Sequence, residues 1–567
     1  MMKEYQKKRL EHFLNFITVK NGGKLLAVTL AKEDASVAAR ELEREKEFLS
    51  EAKDYFLLHG VQMERQSIDS LQSMWDDKMY DTILLRYVLF HQKNCPMSEK
   101  KCLKLLGRHL TKDGRIIVLE HNRLGLDVLA GDRFDGMGKE RGMLRSELAE
   151  AFCYAGLSAA FYYPYPCAED MEYLFSDRRL PQDEVLGTAA HEGIPRMEFF
   201  DAAKAASEAG AESIYPSVAD SFLCVARQNA NEAAAFQKNI SAKETPETDK
   251  NATAGRRADS LVFRHYDVRC DKRFRTIRSV NETATGRRTI TCEAAGDAAA
   301  SHVKEIYANY SRLEELYKGY TLQIAPCVFE QGRAVRMQFD GETLEQQLDD
   351  AVEREAVEEF FGLLQRMSDI LTAPTRILMT EKRHKPFSEE PRFVRMFGEL
   401  LGKDEELLAK EMVLPLSLID GRFLDFQIDG KKWTLKEYEW TADFPVPYPY
   451  LLYRMIHGYF SSKPWRNLER TLETETMRRF GVSEEMEPVF ARMEGRFGSY
   501  VIGRAMTSER ILEQCRKDGT FLPVGELVKA FVDEDGQLPL EESEAFEDVG
   551  GGFKEKMMRL FGRFSFN

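Results

Sequence analysis

D-G-R-I-I-V-L-E-H-N-R-L-G-L, residues 113–126, runs on into A-G-D-R-F-D (130–135), F-Y-Y-P-Y-P (161–166) and L-F-S-D-R-R-L-P (174–181). Asp113-Gly114 reads as a turn, residues 116–119 as an apolar strand, and residues 120–125 as a polar turn that contains glycine. In an open α/β sheet, ligands bind outside the carboxyl ends of the strands. The turn at 120–125 therefore lies where a site is expected.

Working outward, residues 1–227 alternate helix-like and strand-like segments. Residues 5–16 have a helical pattern, 24–30 (K-L-L-A-V-T-L) form a buried-strand run, and 37–55 are charged and helical. Residues 80–85 (Y-D-T-I-L-L) read as another strand and 100–110 as an amphipathic helix. Such alternation predicts a parallel, doubly wound sheet. Residues 162–163 and 221–226 are expected to close it as antiparallel strands, with an alanine-rich insertion (202–211) between them. Residues 228–258 are polar, lack an apolar period and read as a linker. From 259 the pattern changes. Residues 261–292 read as three strands, 302–317 as a helix, and two more strands flank Gln331-Gly332. The rest is mostly helical, with a hairpin around 426–435.

Composition limits the function classes. A chain of 567 residues is too long for one ordinary core. Its net charge of −14 argues against broad nucleic-acid binding, which depends on neutralising phosphates. No apolar run approaches the roughly 20 residues that span a bilayer. The charged start M-M-K-E-Y-Q-K-K-R-L lacks the apolar core of a signal peptide. Nine scattered cysteines without a C-x-x-C pair point to free thiols in a reducing cytoplasm, not to a disulfide framework or a cysteine zinc site.

The block from 113 to 181 resembles a kind of bacterial class I S-adenosylmethionine-dependent methyltransferase. Relatives carry E-N-R-L-G-L followed by A-G, matched here by Asn122, Arg123, Gly125, Ala130 and Gly131, with His121 inserted after Glu120. Residues 80–89 resemble the fourth strand and the loop that flanks the cofactor. The resemblance implies S-adenosylmethionine as cofactor, with Asp81, Arg86, Asn122, Arg123 and Gly125 beside it. It offers His121, Asp132 and Asp135 as alternative bases. The relatives' acidic pair is interrupted, since Phe134 and Gly136 flank Asp135. The segment 24–40 (K-L-L-A-V-T-L-A-K-E-D-A-S-V-A-A-R) allows two alignments. As the first strand, it has lost every glycine of the cofactor loop. As the second strand, the preferred alignment, it leaves the first strand and glycine loop absent and puts Thr29 where an acid would bind the ribose.

M-Q-F-D-G-E-T-L-E-Q-Q-L (337–348) resembles the hinge and following helix of small-molecule kinases, and L-I-D-G-R-F-L-D-F-Q-I-D-G-K-K-W-T-L-K-E-Y-E-W-T-A-D-F-P-V-P (418–447) resembles the kinase-like domain fused to methyltransferases in bacterial surface-glycan proteins. Phosphoryl transfer needs a lysine, a catalytic aspartate, an asparagine and a metal-binding aspartate. Asp420 holds the catalytic position, Asp425 the asparagine position and Glu437 the metal-aspartate position, so Asp425 and Glu437 are the candidate metal ligands. Cys292 stands at the strand-lysine position, which would leave Glu305 on the next helix without its partner. Magnesium and ATP are not expected to bind.

The expected architecture is thus α/β: an N-terminally incomplete, Rossmann-like methyltransferase sheet (1–227), a linker (228–258), an α+β kinase-like domain (259–464) and a helical extension (465–535). An acidic segment and a basic amphipathic tail follow (536–567). Residues 553–566 have the apolar spacing and cations for weak contact with an anionic membrane. The expected function is methyl transfer to a sugar or phosphate in cell-surface glycan assembly. It would take place in the cytoplasm or at the inner membrane face, beside glycosyltransferase partners. The alternatives are a non-catalytic scaffold and a small-molecule or glycan kinase.

Overall fold

The structure is a computed structural model. It describes residues 13–14, 16–17, 22–29, 39–73, 78–89, 97–129, 142–168, 171–182, 185, 196–198, 200–228, 261–267, 270–283, 286–337, 341–375, 386–400, 402–461, 470–503 and 521–523. The linker at 228–258 (apart from Gln228), Asp132, Asp135, the acidic segment and the basic tail lie outside the described residues.

The chain enters the sheet at β1 (Lys24–Thr29), crosses by α1 (Ala39–Leu58) to β2 (Gln62–Ser67), and returns to β3 (Tyr80–Arg86). Helix α2 (Glu99–Arg108) leads to β4 (Leu110–His121), followed by α3 (Leu126–Leu129) and α4 (Arg145–Tyr154). Then come β5 (Leu157–Tyr165), β6 (Tyr173–Ser176), β7 (Arg196–Glu198), α5 (Ala202–Ala211), α6 (Tyr215–Val218) and β8 (Ser221–Gln228). β1 pairs in parallel with β2 on one side and β3 on the other, and β3 pairs in parallel with β4. β8 is antiparallel to both β4 and β5, so of the two strands expected to close the sheet antiparallel only β8 is reversed, and β5 runs in the same direction as β4.

This pairing corrects the preferred alignment of residues 24–40. β1 is the central strand from which the chain departs in one direction and on whose other side it returns, so it takes the first-strand place. The sheet is therefore not missing that strand. Its burial agrees: Leu25 to Val28 are at most 3% exposed, as a strand paired on both sides and covered on both faces must be. β2, at the edge, is polar (Q-M-E-R-Q-S).

The apolar runs supply two cores by strict alternation. Leu26, Val28, Ile83, Leu85, Ile116 and Val118 enter one, and Leu25, Ala27, Leu84, Ile117 and Leu119 enter the other. β4 begins earlier than expected, with Asp113-Gly114 inside it as an irregularity against β3. A Cβ at Gly114 would come within 2.9 Å of the Tyr80 carbonyl oxygen, so the close approach there requires glycine.

Beyond the linker come β9 (Leu261–Tyr266), β10 (Thr276–Glu282), β11 (Arg288–Ala294), α7 (Ala300–Leu316), β12 (Leu322–Ile324), β13 (Cys327–Glu330) and β14 (Arg333–Met337). Gln331 and Gly332 turn the β13–β14 hairpin with positive φ. Helix α8 (Leu344–Glu353) starts at a Thr343–Gln346 capping box and is followed by α9 (Val357–Thr372), α10 (Pro391–Phe397) and α11 (Lys403–Leu408). Short β15 (Ser417–Leu418), the β16 (Phe426–Asp429) and β17 (Lys432–Leu435) hairpin, and β18 (Thr441–Ala442) precede α12 (Tyr448–Ser461), α13 (Arg470–Arg479) and α14 (Glu487–Ile502). β19 (Phe521–Pro523) pairs with β7.

Sequence alone implied two separate sheets. They are one, with twelve strands in the order β13-β14-β11-β10-β9-β6-β5-β8-β4-β3-β1-β2. The join is the antiparallel pairing of β6 with β9, Tyr173 opposite His265 and Leu174 opposite Arg264. The aromatic run 438–453 is core: Tyr438, Phe444, Tyr448, Tyr450 and Tyr453 all enter one cluster. Among the described residues, no helix is long and apolar enough to cross a membrane.

The doubly buried strands should dominate stability. Ile117→Ala is expected to cost about 2–5 kcal/mol in denaturant unfolding, whereas Gln62→Ala on the exposed edge strand should stay within about 0.5 kcal/mol.

Candidate functional site

The reversal of strand order around β1 creates a switch point between the carboxyl ends of β1 and β3, the expected ligand crevice of such a sheet. Thr29, Arg86, Tyr87, Glu120 and His121 end or follow the strands there. Tyr87 is half-buried and has φ +53°, a left-handed conformation that side chains other than glycine rarely adopt. Its N–H donates to the Leu119 carbonyl at 2.7 Å. Its ring stacks on His121, with centroids 4.0 Å apart and planes 4° from parallel. The Arg86 guanidinium lies 4.5 Å from the Phe48 ring centroid and 4.9 Å from that of Tyr87. Glu120 is fully buried and accepts the Leu89 N–H at 2.6 Å, which ties the end of β4 to the loop after β3. Thr29 Oγ1 faces the Gln66 carbonyl at 3.5 Å. Sequence reading missed Tyr87. Its only signal was an aromatic residue directly after a strand.

The turn at 122–125 is bonded to neighbouring segments of the first half. The Asn122 amide donates to the Ser217 and Ala219 carbonyls, both at 2.8 Å, and its Oδ1 accepts the Leu124 N–H at 3.0 Å. Arg123 pairs with Glu147 at 2.7 Å. A Cβ on Gly125 would sit 2.9 Å from Asp220 Oδ1, the same atom that accepts the Asp127 N–H at 2.8 Å. The side-chain bonds of Asn122 and Arg123 are thus made to protein partners, and Gly125 is needed for a close approach. These contacts correct the expectation that all three address a cofactor.

Asp81 is also corrected. It sits at the amino end of β3, roughly 17 Å of strand away from Arg86. There it accepts the Lys24 N–H at 2.9 Å and the Thr111 hydroxyl at 3.1 Å. The loop after β1 (30–38), Asp132 and Asp135 lie outside the described residues.

A second cluster lies under the other half of the sheet. Arg278 on β10 stands opposite Cys292 on β11, which stands opposite Ala334 on β14. Side chains two apart on a strand share a face, so Arg278, Cys292, Ala334 and Arg336 all point one way. Arg336 is only 1% exposed and donates to Glu437 Oε1 at 2.5 Å, while Arg278 donates to Glu437 Oε2 at 3.2 Å and also pairs with Glu439. Glu439 Oε1 in turn lies 2.6 Å from His302 Nε2 on α7, and the Asn309 amide donates to the carbonyls of Tyr438 and Glu439. Burial alone would raise the Glu437 carboxyl, but the guanidiniums of Arg336 and Arg278 hold it down at about 2. Burial and the neighbouring Arg278 push His302 down to about 4, which keeps it neutral.

Glu305, expected to lack a partner, does find one, although not on β11. Glu305 is on the exposed face of α7 and pairs with Arg312, whereas His302, three residues earlier, faces inward. Asp425 accepts from the Arg422 backbone N–H and guanidinium at 3.0–3.2 Å. Both proposed metal ligands, Asp425 and Glu437, are therefore bonded to arginines. Among the described residues no group of three His, Cys, Asp or Glu side chains is arranged to hold a metal ion. Asp420 differs: its Oδ1 is buried without a hydrogen-bond partner, and burial, Glu437 and Asp425 push its carboxyl up to about 6.

No protein-family model and no curated protein matches the chain. Solved structures do align with it. A TehB-like S-adenosylmethionine-dependent methyltransferase from Corynebacterium glutamicum is 11% identical, with 40% of this chain and 88% of that one covered and a TM-score of 0.20. A methyltransferase of the same dependence from Archaeoglobus fulgidus is 13% identical, with 39% and 92% covered and a TM-score of 0.23. One from Clostridium acetobutylicum is 12% identical, with 40% and 91% covered and a TM-score of 0.20. Likeness of this size carries no argument about chemistry or substrate. The Rossmann-like character of the sheet rests on its own strand order.

Asp420 gives a pH test. A carboxyl whose folded pKa is raised from 3.8 to about 6 binds its proton more tightly in the folded state. Its favourable contribution is full below 3.8 and lost as pH rises through 6. Asp420→Asn should therefore stabilise the protein at pH 7.5 by about 1–3 kcal/mol, and the gain in denaturant titrations should vanish near pH 4.

Proposed function

We propose that the first half of the chain is a methyltransferase-like domain that binds S-adenosylmethionine at the switch point between β1 and β3. The conclusion rests on one observation: Tyr87, held in the left-handed region at the carboxyl edge and stacked on His121. Backbone strain in a residue other than glycine, placed in a ligand crevice, supports a functional reading. S-adenosylmethionine carries a planar ring and a carboxylate, groups that suit an aromatic stack and a guanidinium at this edge of the sheet.

The acceptor in this reading is a hydroxyl or phosphate of a cell-surface glycan. Methyl transfer by direct displacement needs alignment of donor and acceptor, with a base to assist a hydroxyl. His121 stands at the described edge of the crevice, and Asp132 and Asp135 remain alternatives. The second half is a kinase-like domain without phosphoryl transfer, because Asp425 and Glu437 are engaged by arginines and Cys292 replaces the lysine. Glycosyltransferases of the same assembly line are the proposed partners, on the cytoplasmic side of the membrane, with the basic tail at 553–566 as a weak surface contact. A second reading, a non-catalytic scaffold for those partners, is favoured by the turn at 122–125, whose Asn122 and Arg123 bonds are made within the protein.

Titration calorimetry separates the two readings. The full chain should release or absorb heat on addition of S-adenosylmethionine, and Tyr87→Ala should weaken binding about tenfold, or roughly 1.4 kcal/mol. Absence of heat at millimolar ligand would sink the methyltransferase reading and leave the scaffold.

A further inference from the structure

We infer that Arg278 and Arg336 form a built-in clamp on Glu437 and Glu439, which fixes strands β10 and β14 to the segment 437–439 without nucleotide or metal. The inference deepens the kinase-like reading above and takes from it only the class of ligand excluded.

The register carries the argument. Arg278 lies directly across the ladder from Cys292, on the same face. A guanidinium from β10 thus reaches the ground beneath β11 that a long cation at position 292 would otherwise cover. Arg336 reaches the same carboxylate from β14, two strand positions beyond Ala334. Two strands that flank β11 thereby converge on Glu437, one on each oxygen. The other elements around the cluster are engaged too. Helix α7 contributes His302 to Glu439 and the Asn309 amide to the 438–439 backbone, and the 420–425 segment contributes Arg422 to Asp425.

Charge balance decides what the cluster can accept. Arg278, Arg336 and Arg422 face Glu437, Glu439 and Asp425, and Asp420 remains as an additional carboxyl. Within this group the three guanidiniums are matched by three carboxylates. A divalent cation would have to displace guanidiniums from buried carboxylates. Breaking a buried pair on one side strands an uncompensated charge, whereas removing both partners together costs far less. The pairs therefore do internally the joining that a bound metal–nucleotide complex would do from outside.

Thermal unfolding of the full chain tests this with Arg336→Met, Glu437→Gln and the double variant. Each single change should lower Tm by about 5–10 °C, and the double should lower it no further than the worse single. Wild-type Tm should not respond to millimolar magnesium-ATP. Additive losses in the double variant, with no response to magnesium-ATP, overturn the clamp and leave the kinase-like reading standing. A saturable rise in wild-type Tm with magnesium-ATP overturns both. If a single variant does not fold while the double does, the coupling is shown in its strongest form. If neither the singles nor the double folds, the clamp is overturned, because removing both partners should relieve the stranded charge.

Discussion

A strand of four residues joins the two halves of this molecule. The sheet of the first half would end at β5, and an unpaired edge of buried backbone is costly because its N–H and C=O groups have nowhere else to go. β6 closes that edge, and all four of its residues are buried. Its own far edge is then taken by β9. The junction is reinforced around the ladder: the Ser176 hydroxyl donates to the Val262 carbonyl at 2.5 Å, the Tyr266 N–H to the Glu172 carbonyl at 2.8 Å, and Tyr173 stacks on His265 at 4.7 Å. Residues 229–260 separate β8 from β9 in sequence, and the β6–β9 ladder pairs the strands at the junction. The switch-point crevice and the arginine–glutamate cluster therefore belong to one hydrogen-bonded framework.

Much of that framework was legible because it depends on local pattern. The runs at 24–30, 80–85 and 116–119 are apolar on both faces, which only a doubly covered strand tolerates. The turn at Gln331-Gly332 announced its hairpin. What stayed hidden depends on pairing between distant residues. Y-L-F-S at 173–176 is too short to distinguish strand from helix by periodicity. Arg278 and Arg336 are unremarkable in sequence, because their importance comes from which residues the ladder sets beside them. The preferred alignment of β1 failed for the same reason: the absence of glycine in its loop is a local fact, whereas its central place is a fact of pairing with β2 and β3.

The errors at single residues share one physical cause, which is direction. Asp81 lies on the expected strand but at the end facing away from the crevice. Glu305 lies on the expected helix but on the solvent face, with His302 in the inward place. A motif fixes spacing along the chain, yet a strand or helix presents alternate residues to opposite environments.

The two candidate sites also differ in how they treat charge. At the switch point, the aromatic pair Tyr87–His121 and the cation Arg86 sit half-buried beside a strained backbone. Under β10, β11 and β14 oppositely charged side chains are paired, Arg278 and Arg336 with Glu437 and Glu439. Buried ion pairs are weak evidence for stability, because apolar residues of similar volume often serve as well. Their retention here is better explained by position than by strength. Glu437 and Glu439 can be satisfied only when β10, β14 and α7 all converge on them, so the charges select one arrangement of sheet, helix and following segment. An apolar core would hold the same parts together without specifying that arrangement as narrowly.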